Sequence, residues 1–390
     1  MSITEKEQHE LTQHLREQLV TQMKETNAIR STSIEDAFLT IPREAFIPAF
    51  YQRDDQERRM IWQHRTREQT DAKSYLAQMY RDESLVTKID QSGWPISSSS
   101  QPSVMAKMLE ALDVQPGQRV LEVGTGTGYN AALLSMLTGH PQYVVTIDYD
   151  PALTRAATQL LAQVVGDGVS VITGDGFLGY HEGGPYDRII ITASIPTVPI
   201  ALIKQLRIGG KLVMDLQGPL ASGFLVLTKH TTNTTGRFFD EPLHFMPLTS
   251  AELPKQHMPR VTDLKQHHSF PLPPNHHFPG ALNDLAFRWF LQWYIPGCQI
   301  LRKKVQPRDA ATAMDLITII NPDEQRQSMV QFSGGTAWQI TTYGIDNLWN
   351  ELMNAYDIFE RLGKPQTSEY TLVVTDNAAR LTIQTLELSV

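Results

Sequence analysis

Residues 119–129 read Arg119-Val-Leu-Glu-Val-Gly-Thr-Gly-Thr-Gly-Tyr129: a short apolar strand, a glycine-rich turn and the start of a helix. Gly124, Gly126 and Gly128 let the backbone turn tightly and approach a ligand closely. A dinucleotide-binding fingerprint has the spacing GxGxxG, whereas here Tyr129 takes the place of the third glycine. This variant has Glu122 before it and an acid closing the next strand, which suits S-adenosylmethionine better than a nicotinamide dinucleotide.

The flanking segments agree with that reading. After a helix over 129–138, the run Tyr143-Val-Val-Thr-Ile-Asp148 predicts a second buried strand. Its acid falls where a carboxylate reaches a ribose at the ends of the strands of a doubly wound sheet. A helix over 151–165 leads to a third strand within 169–176, closed by Asp175, a candidate acceptor for an adenine amino group. Strands over 188–193 and 211–216, separated by a helix over 199–206, complete a Rossmann-like alternation of apolar runs and helix-length segments. Glycines and strand-end acids occur in any α/β domain; here the loop and both acids fall in register.

A chain of 390 residues has room for two domains. Its 41% hydrophobic and 19% charged residues describe an ordinary globular protein. A net charge of −8 argues against tight binding to nucleic acid or an anionic membrane. No apolar run reaches membrane-spanning length, the first 25 residues are too polar for a signal peptide, and a single cysteine, Cys298, fits a reducing cytoplasm. Following an aromatic segment, Cys298 reads as a packed thiol rather than a nucleophile.

Four regions are expected. Residues 1–95 hold an N-terminal helical region, opened by the capping box Thr4-x-x-Glu7, with a mixed-charge cover over 52–72 read as a solvated helix or mobile segment. Residues 96–248 form the core, ending in a hairpin of Phe224–Lys229 with Phe238–Phe245 that completes the sheet. Residues 249–280 read as a Pro/His-rich linker; His257, His267, His268, His276 and His277 lack strong metal-ligand spacing, so no metal is assigned. Residues 281–390 form a small added α+β unit, read as a substrate-recognition extension, with an aromatic helix over 282–294, strands over 316–320, 329–332 and 338–342, a helix over 346–362 and a final hairpin.

Residues 10–248 resemble the protein-L-isoaspartate O-methyltransferase family. The resemblance runs through Asp36-Ala-Phe-Leu-Thr-Ile-Pro-Arg-Glu-Ala-Phe-Ile-Pro48, Ser100-Gln-Pro102, Val120–Ala132, Gly174-Asp-Gly176, Pro185-Tyr-Asp-Arg188 and Gln205–Leu212. It implies a carboxyl O-methyltransferase that uses S-adenosyl-L-methionine and releases S-adenosyl-L-homocysteine. By matching motif, Ser100 lies where the acceptor carboxylate meets the methyl donor, with Ser99 as second donor. Implied cofactor contacts are Glu122, Gly124, Thr125, Gly126, Gly128, Tyr129, Asp148, Tyr149, Asp175 and Gly176. Implied substrate contacts are Ser97, Ser98, Gln101, Thr192 and Ala193.

Two departures narrow the expectation. The family commonly has Thr-Ile-Ser-Gln-Pro where this chain has Ser97-Ser-Ser-Ser-Gln101, and the chain continues far past an ordinary domain length. Gly335-Thr-Ala-Trp338, Asn347-Leu-Trp349, Ala355-Tyr356 and Gly363-Lys-Pro365 resemble the tail of a branch associated with lanthipeptide and graspetide biosynthesis. That branch methylates an aspartate of a cyclised precursor, and the ester collapses to an aspartimide. General isoaspartyl repair is the second reading, and a noncatalytic precursor-binding protein the third. An acceptor carboxylate, with a pKa of about 4, is already ionised, so the reaction requires no general base and positioning carries the catalysis.

Overall fold

The computed structural model describes residues 4–389, apart from 54–60, 69, 254–265, 274, 306–313, 322–327, 335–337, 345–347 and 376–377. Helix α1 (Glu5–Glu25) begins at the Thr4 capping box, in which the Thr4 hydroxyl accepts the Glu7 amide and the Glu7 carboxylate accepts the Thr4 amide. Helix α2 (Thr32–Thr40) stops before Pro42. The chain then forms β1 (Ala49–Arg53), β2 (Trp62–Thr66), α3 (Ala72–Met79), β3 (Leu85–Ile89) and β4 (Pro95–Ser99). These strands make an antiparallel sheet in the order β2-β1-β3-β4. One expectation changes here: the described parts of 52–72 include strand where a solvated helix or mobile segment was expected, and Ser97–Ser99 belong to β4.

The core continues with α4 (Pro102–Leu112), β5 (Val120–Val123), α5 (Tyr129–Thr138), β6 (Val144–Asp148), α6 (Pro151–Val165), β7 (Ser170–Thr173), β8 (Tyr186–Ile195), α7 (Ile200–Gln205) and β9 (Leu206–Gln217). Strands β7, β6, β5, β8 and β9 are neighbours in that order and all parallel. The chain reverses direction across the sheet between β5 and β8, where doubly wound folds open a ligand crevice. Alternate residues feed two cores: Leu121, Val123, Ile189, Ile191 and Met214 on one face, Val120, Ile190 and Val213 on the other. Burial on both faces is why these strands read as unbroken apolar runs.

β10 (Ser222–Lys229) and β11 (Thr234–Phe239) extend the sheet antiparallel to β9. The return strand is earlier than Phe238–Phe245. Gly236, which falls between the two expected strands, lies inside β11, where a Cβ would come within 2.8 Å of Leu225 and 2.9 Å of Leu372. The glycine serves close packing, and the turn closes before it, with the His230 amide donating to the Asn233 carbonyl at 2.7 Å.

The last third of the chain contains β12 (Gln266–Pro271), α8 (Leu285–Tyr294), β13 (Gln299–Val305), β14 (Met314–Asn321), β15 (Ser328–Gly334), β16 (Trp338–Gly344), α9 (Leu348–Arg361), β17 (Thr371–Val374), β18 (Ala379–Ile383) and β19 (Leu386–Ser389). β12, β16, β15, β14 and β13 form a five-stranded antiparallel sheet, so part of the expected linker is a sheet strand. β17, β18 and β19 instead join the core sheet beside β11, bringing it to ten strands. The division at residue 281 therefore does not separate two sheets, and the β10–β11 hairpin does not complete the first one. Phe287, Trp289 and Phe290 of α8 are fully buried in the same core as α7. The Phe238 and Trp289 rings meet edge to face at 5.0 Å. Cys298 is buried, and burial pushes its thiol up to about 12, leaving it protonated. No described helix is long and apolar enough to cross a membrane.

Candidate active site

A cavity of about 660 Å3 opens at the carboxyl ends of β5 and β6. Its floor is the glycine loop. The Gly124 and Gly126 φ angles are +98° and +51°, in the region that side chains disfavour. A Cβ at Gly124 would collide with the Thr192 hydroxyl at 2.7 Å. A Cβ at Gly126 would lie 3.5 Å from the Ser98 carbonyl oxygen and 3.8 Å from Ser97 Oγ. The serine strand β4 thus lies over the glycine loop, and the N-terminal sheet supplies the roof of the crevice.

Asp148 closes β6 and lines the cavity. Its carboxylate accepts the Gly126 amide at 3.0 Å and the Asp150 amide at 3.1 Å. Burial raises its pKa against those bonds. Glu122 is fully buried, accepting from Asn130 Nδ2 at 2.8 Å and from the Thr146 hydroxyl at 2.7 Å. Burial pushes its carboxyl up to about 7. Thr125 is tied to Thr146 at 2.7 Å. Asn130 Oδ1 is buried with no hydrogen-bond partner, in a side chain that lines the cavity. A ligand carrying N–H and O–H donors suits that acceptor and the nearby Asp148, and the side-chain-free loop leaves room for it. S-adenosylmethionine is such a ligand, and these residues fit it.

Ser97, Ser98, Ser99, Ser100 and Gln101 all line the cavity, but they are not equivalent. Ser97 and Ser99 are buried. The Ser97 hydroxyl accepts from Thr87 at 3.3 Å, and the Ser99 hydroxyl accepts from Arg43 Nε at 3.3 Å. The Ser99 hydroxyl is thus held by Arg43 on its interior side, while the residue itself lines the cavity. The Ser100 hydroxyl makes no hydrogen bond among the described residues. Gln101 precedes α4 and donates to Asp82 at 3.1 Å, which itself accepts the Ser103 amide at 2.8 Å; its amide is a turn brace. Thr192 donates to the Gly124 carbonyl at 2.9 Å and so braces the loop, while Ala193 lines the cavity.

One cofactor expectation changes. The Asp175 carboxylate is absent from the lining. Its Oδ2 accepts from the Ser250 hydroxyl at 2.8 Å and the Ala251 amide at 3.1 Å, and its Oδ1 from the Phe177 amide at 3.0 Å. It anchors a wall segment instead of facing the crevice, though Gly176 does line it. Tyr129 lines the cavity, its buried ring packed on Phe46 and Phe38 at 5.8 and 6.3 Å. Tyr149 lines the cavity and is half exposed.

The sequence reading missed three features. Arg43, inside the quoted Ile-Pro-Arg-Glu stretch, is fully buried. It donates to the carbonyls of Met79, Arg81, Glu83, Ser99 and Ser100 at 2.8–3.3 Å as well as to Ser99 Oγ. Burial lowers its pKa to about 10, which still leaves it charged at neutral pH. Lys88 of β3 pairs with Asp150 at the cavity rim, linking roof to floor. Residues 244–249 form a wall, held by reciprocal bonds of the Ser194 amide to Met246 and the Leu248 amide to Ser194, both at 2.9 Å; no local pattern marks that segment. Among the described residues no cluster of histidine, cysteine and acidic side chains could hold a metal. His276 and His277 stack on each other, and His277 stacks on Tyr356 at 4.0 Å. His257 lies outside the described residues, as does the His267 side chain.

The family profile for Protein-L-isoaspartate(D-aspartate) O-methyltransferase (PCMT) matches residues 56–253. The Protein-L-isoaspartate O-methyltransferase of Ignicoccus hospitalis is 33% identical over 226 residues, covering 57% of this chain and 92% of that protein. One from Methanococcus maripaludis is 36% identical over 223 residues, covering 56% and 89%. A solved protein-L-isoaspartate O-methyltransferase superposes with a TM-score of 0.55 at 24% identity, over 95% of this chain and 99% of that one. That likeness in fold extends beyond the methyltransferase core into the C-terminal region.

Proposed function

The chain belongs to the protein-L-isoaspartate O-methyltransferase family and is an S-adenosylmethionine-dependent carboxyl O-methyltransferase, and on that premise we propose that it esterifies isoaspartyl carboxylates in peptides or proteins. The observation that carries this reading is the placement of the Ser97–Ser100 strand over the Gly124–Gly128 loop within one cavity. Acceptor and methyl-donor subsites thereby share a wall.

In this reading the glycine loop, Asp148 and Asn130 hold the cofactor. When bound, S-adenosylmethionine supplies a methyl group activated by its sulfonium. Ser100 offers its hydroxyl to the acceptor carboxylate, a charge-assisted hydrogen bond worth about 1.5–3 kcal/mol. Arg43 holds the turn that carries Ser100. The carboxylate needs no base, and the ionisable groups at the site are spent on geometry: Glu122 on the Asn130 side chain, Asp175 on the wall. Orientation in a closed site can contribute roughly 7–11 kcal/mol.

A narrower acceptor, an aspartate of a cyclised ribosomally made peptide whose ester collapses to an aspartimide, draws support from the serine run and the tail motifs. Of those motifs, Trp349 and Tyr356 pack around Phe278, while Gly335, Thr336, Ala337 and Asn347 lie outside the described residues. Chain length does not favour it, because a solved structure bearing the family name aligns with nearly the whole chain. The deciding assay is methyl transfer from S-adenosylmethionine to a linear isoaspartyl peptide, followed by mass spectrometry, beside a cyclised peptide of the same composition. Transfer to the linear peptide supports isoaspartyl methylation as proposed. Transfer to the cyclised peptide alone replaces it with the narrower acceptor.

A further inference from the structure

A second cavity, of about 730 Å3, lies in the C-terminal region between the five-stranded sheet and the segment around 276–283. Its charged lining comes from Arg302, Lys303 and Lys304, consecutive on β13, and from Asp315 on β14. Lys304 pairs in register with Asp315, Asp315 with Gly334, and Gly334 with Trp338. One row across the sheet therefore carries a cation, a carboxylate, a position with no side chain and an indole. Arg302 is anchored by its bond to the Leu282 carbonyl at 2.9 Å. Among the described residues neither Lys303 nor Lys304 makes a hydrogen bond or ion pair. Arg302 and Lys304 share a face of the sheet with Asp315, while Lys303 borders the cavity from the other face of the edge strand; in a chain whose net charge is −8, the local charge runs against that of the whole protein.

β13 is also the outermost strand of its sheet, and its second edge has no β partner among the described residues. Lysines commonly guard such edges against self-association. A guard requires little more than a single charge, and it explains neither the run of three cations nor the cavity backed by Trp338. We propose that this cavity and the β13 edge form a docking site for an acidic, extended peptide segment, carried by the methyl acceptor at a distance from the reacting residue. The segment's backbone can run along the seven residues of β13, its alternating carboxylates meeting Arg302 and Lys304 on one face and Lys303 on the other. The proposal rests on the reading that acceptors are peptides. The protein's acidity disfavours a nucleic acid as occupant.

The test uses the full chain and a fluorescein-labelled seven-residue peptide rich in glutamate and free of aspartate and asparagine, which cannot present an isoaspartyl group. Fluorescence anisotropy is expected to show salt-sensitive binding, at least tenfold weaker for Lys303→Glu/Lys304→Glu. Both lysines are exposed, and unchanged thermal melting of the double variant confirms that it folds. In turnover, adding a glutamate-rich flank to an isoaspartyl peptide is expected to lower KM without changing kcat, an advantage the double variant loses. Equal binding of the glutamate peptide by wild type and variant overturns the proposal. So does equal binding of a lysine-rich peptide, or displacement of the glutamate peptide by an oligonucleotide at far lower concentration. If no isoaspartyl peptide is methylated while charge-dependent binding persists, the docking site stands and the proposed acceptor falls.

Discussion

Arg43 Nη2 donates to the Ser100 carbonyl at 3.2 Å, placing a fully buried guanidinium directly behind a serine that lines the cavity. The cation has no ion-pair partner within 4 Å among the described residues. Its neutralisation comes from five carbonyls, one hydroxyl and the more distant Asp82. Arg43 accordingly acts as a positioning residue for the turn between β4 and α4.

Replacing it with methionine removes the charge and leaves those carbonyls without donors. Arg43→Met is expected to cost about 3–5 kcal/mol of stability, by analogy with a broken buried pair, and to lower kcat in whatever fraction remains folded. Arg43→Lys restores charge but not the planar fork, so it recovers stability more than turnover. Urea titration and single-turnover transfer separate the two effects.

Ser100→Ala is expected to lower turnover about 10- to 100-fold, equivalent to losing one hydrogen bond to a charged group, with cofactor affinity unchanged. Ser99→Ala, whose hydroxyl faces Arg43, should alter melting temperature more than rate. Equal rate losses in the two variants would place the acceptor contact elsewhere on the strand.

Asp148→Ala is expected to weaken S-adenosylmethionine binding by tenfold or more in isothermal titration, since its carboxylate both lines the cavity and holds the Gly126 amide. Asp175→Ala, by contrast, should chiefly loosen the 244–251 wall, seen as faster amide exchange there.

Burial pushes Glu122 up to about 7, above the value of about 4.3 for an unfolded chain. Between those values the folded protein holds a proton that the unfolded chain has released. Stability from this group is complete at low pH, falls as pH rises through the window and is level above it. Glu122→Gln stays neutral throughout. Its stability relative to wild type should improve by about 3 kcal/mol between pH 4 and pH 8, as read from denaturant midpoints.

A methyl group at Gly223 would meet the Trp289 ring at 2.5 Å. Gly223→Ala should destabilise the whole protein by about 1–3 kcal/mol through overpacking. Cooperative loss of the core sheet and α8 in one transition is the expected denaturation profile.

The parallel strands were legible because burial on both faces writes them as apolar runs, Val120–Val123 and Ile189–Ile191 among them. The glycine loop and Asp148 were legible because the turn demands those residue types locally. β1 and β2 were not: Gln52, Arg53, Gln63 and His64 are exposed, which leaves little apolar alternation to read. Gly236 misled the hairpin reading, because a glycine required by a crowded neighbour looks the same as one required by a turn.

By itself the sequence determined the doubly wound core, the class of cofactor and the membership of a carboxyl methyltransferase family. Tertiary structure alone decided which serine hydroxyls are held by the protein interior, that Asp175 braces a wall, and that β17–β19 extend the core sheet. Those outcomes depend on contacts such as that between Arg43 and Ser99, 56 positions apart, or between Asp175 and Ser250, 75 apart. Local periodicity records which face of an element is buried, whereas the identity of the residue it meets is settled only when distant segments pack.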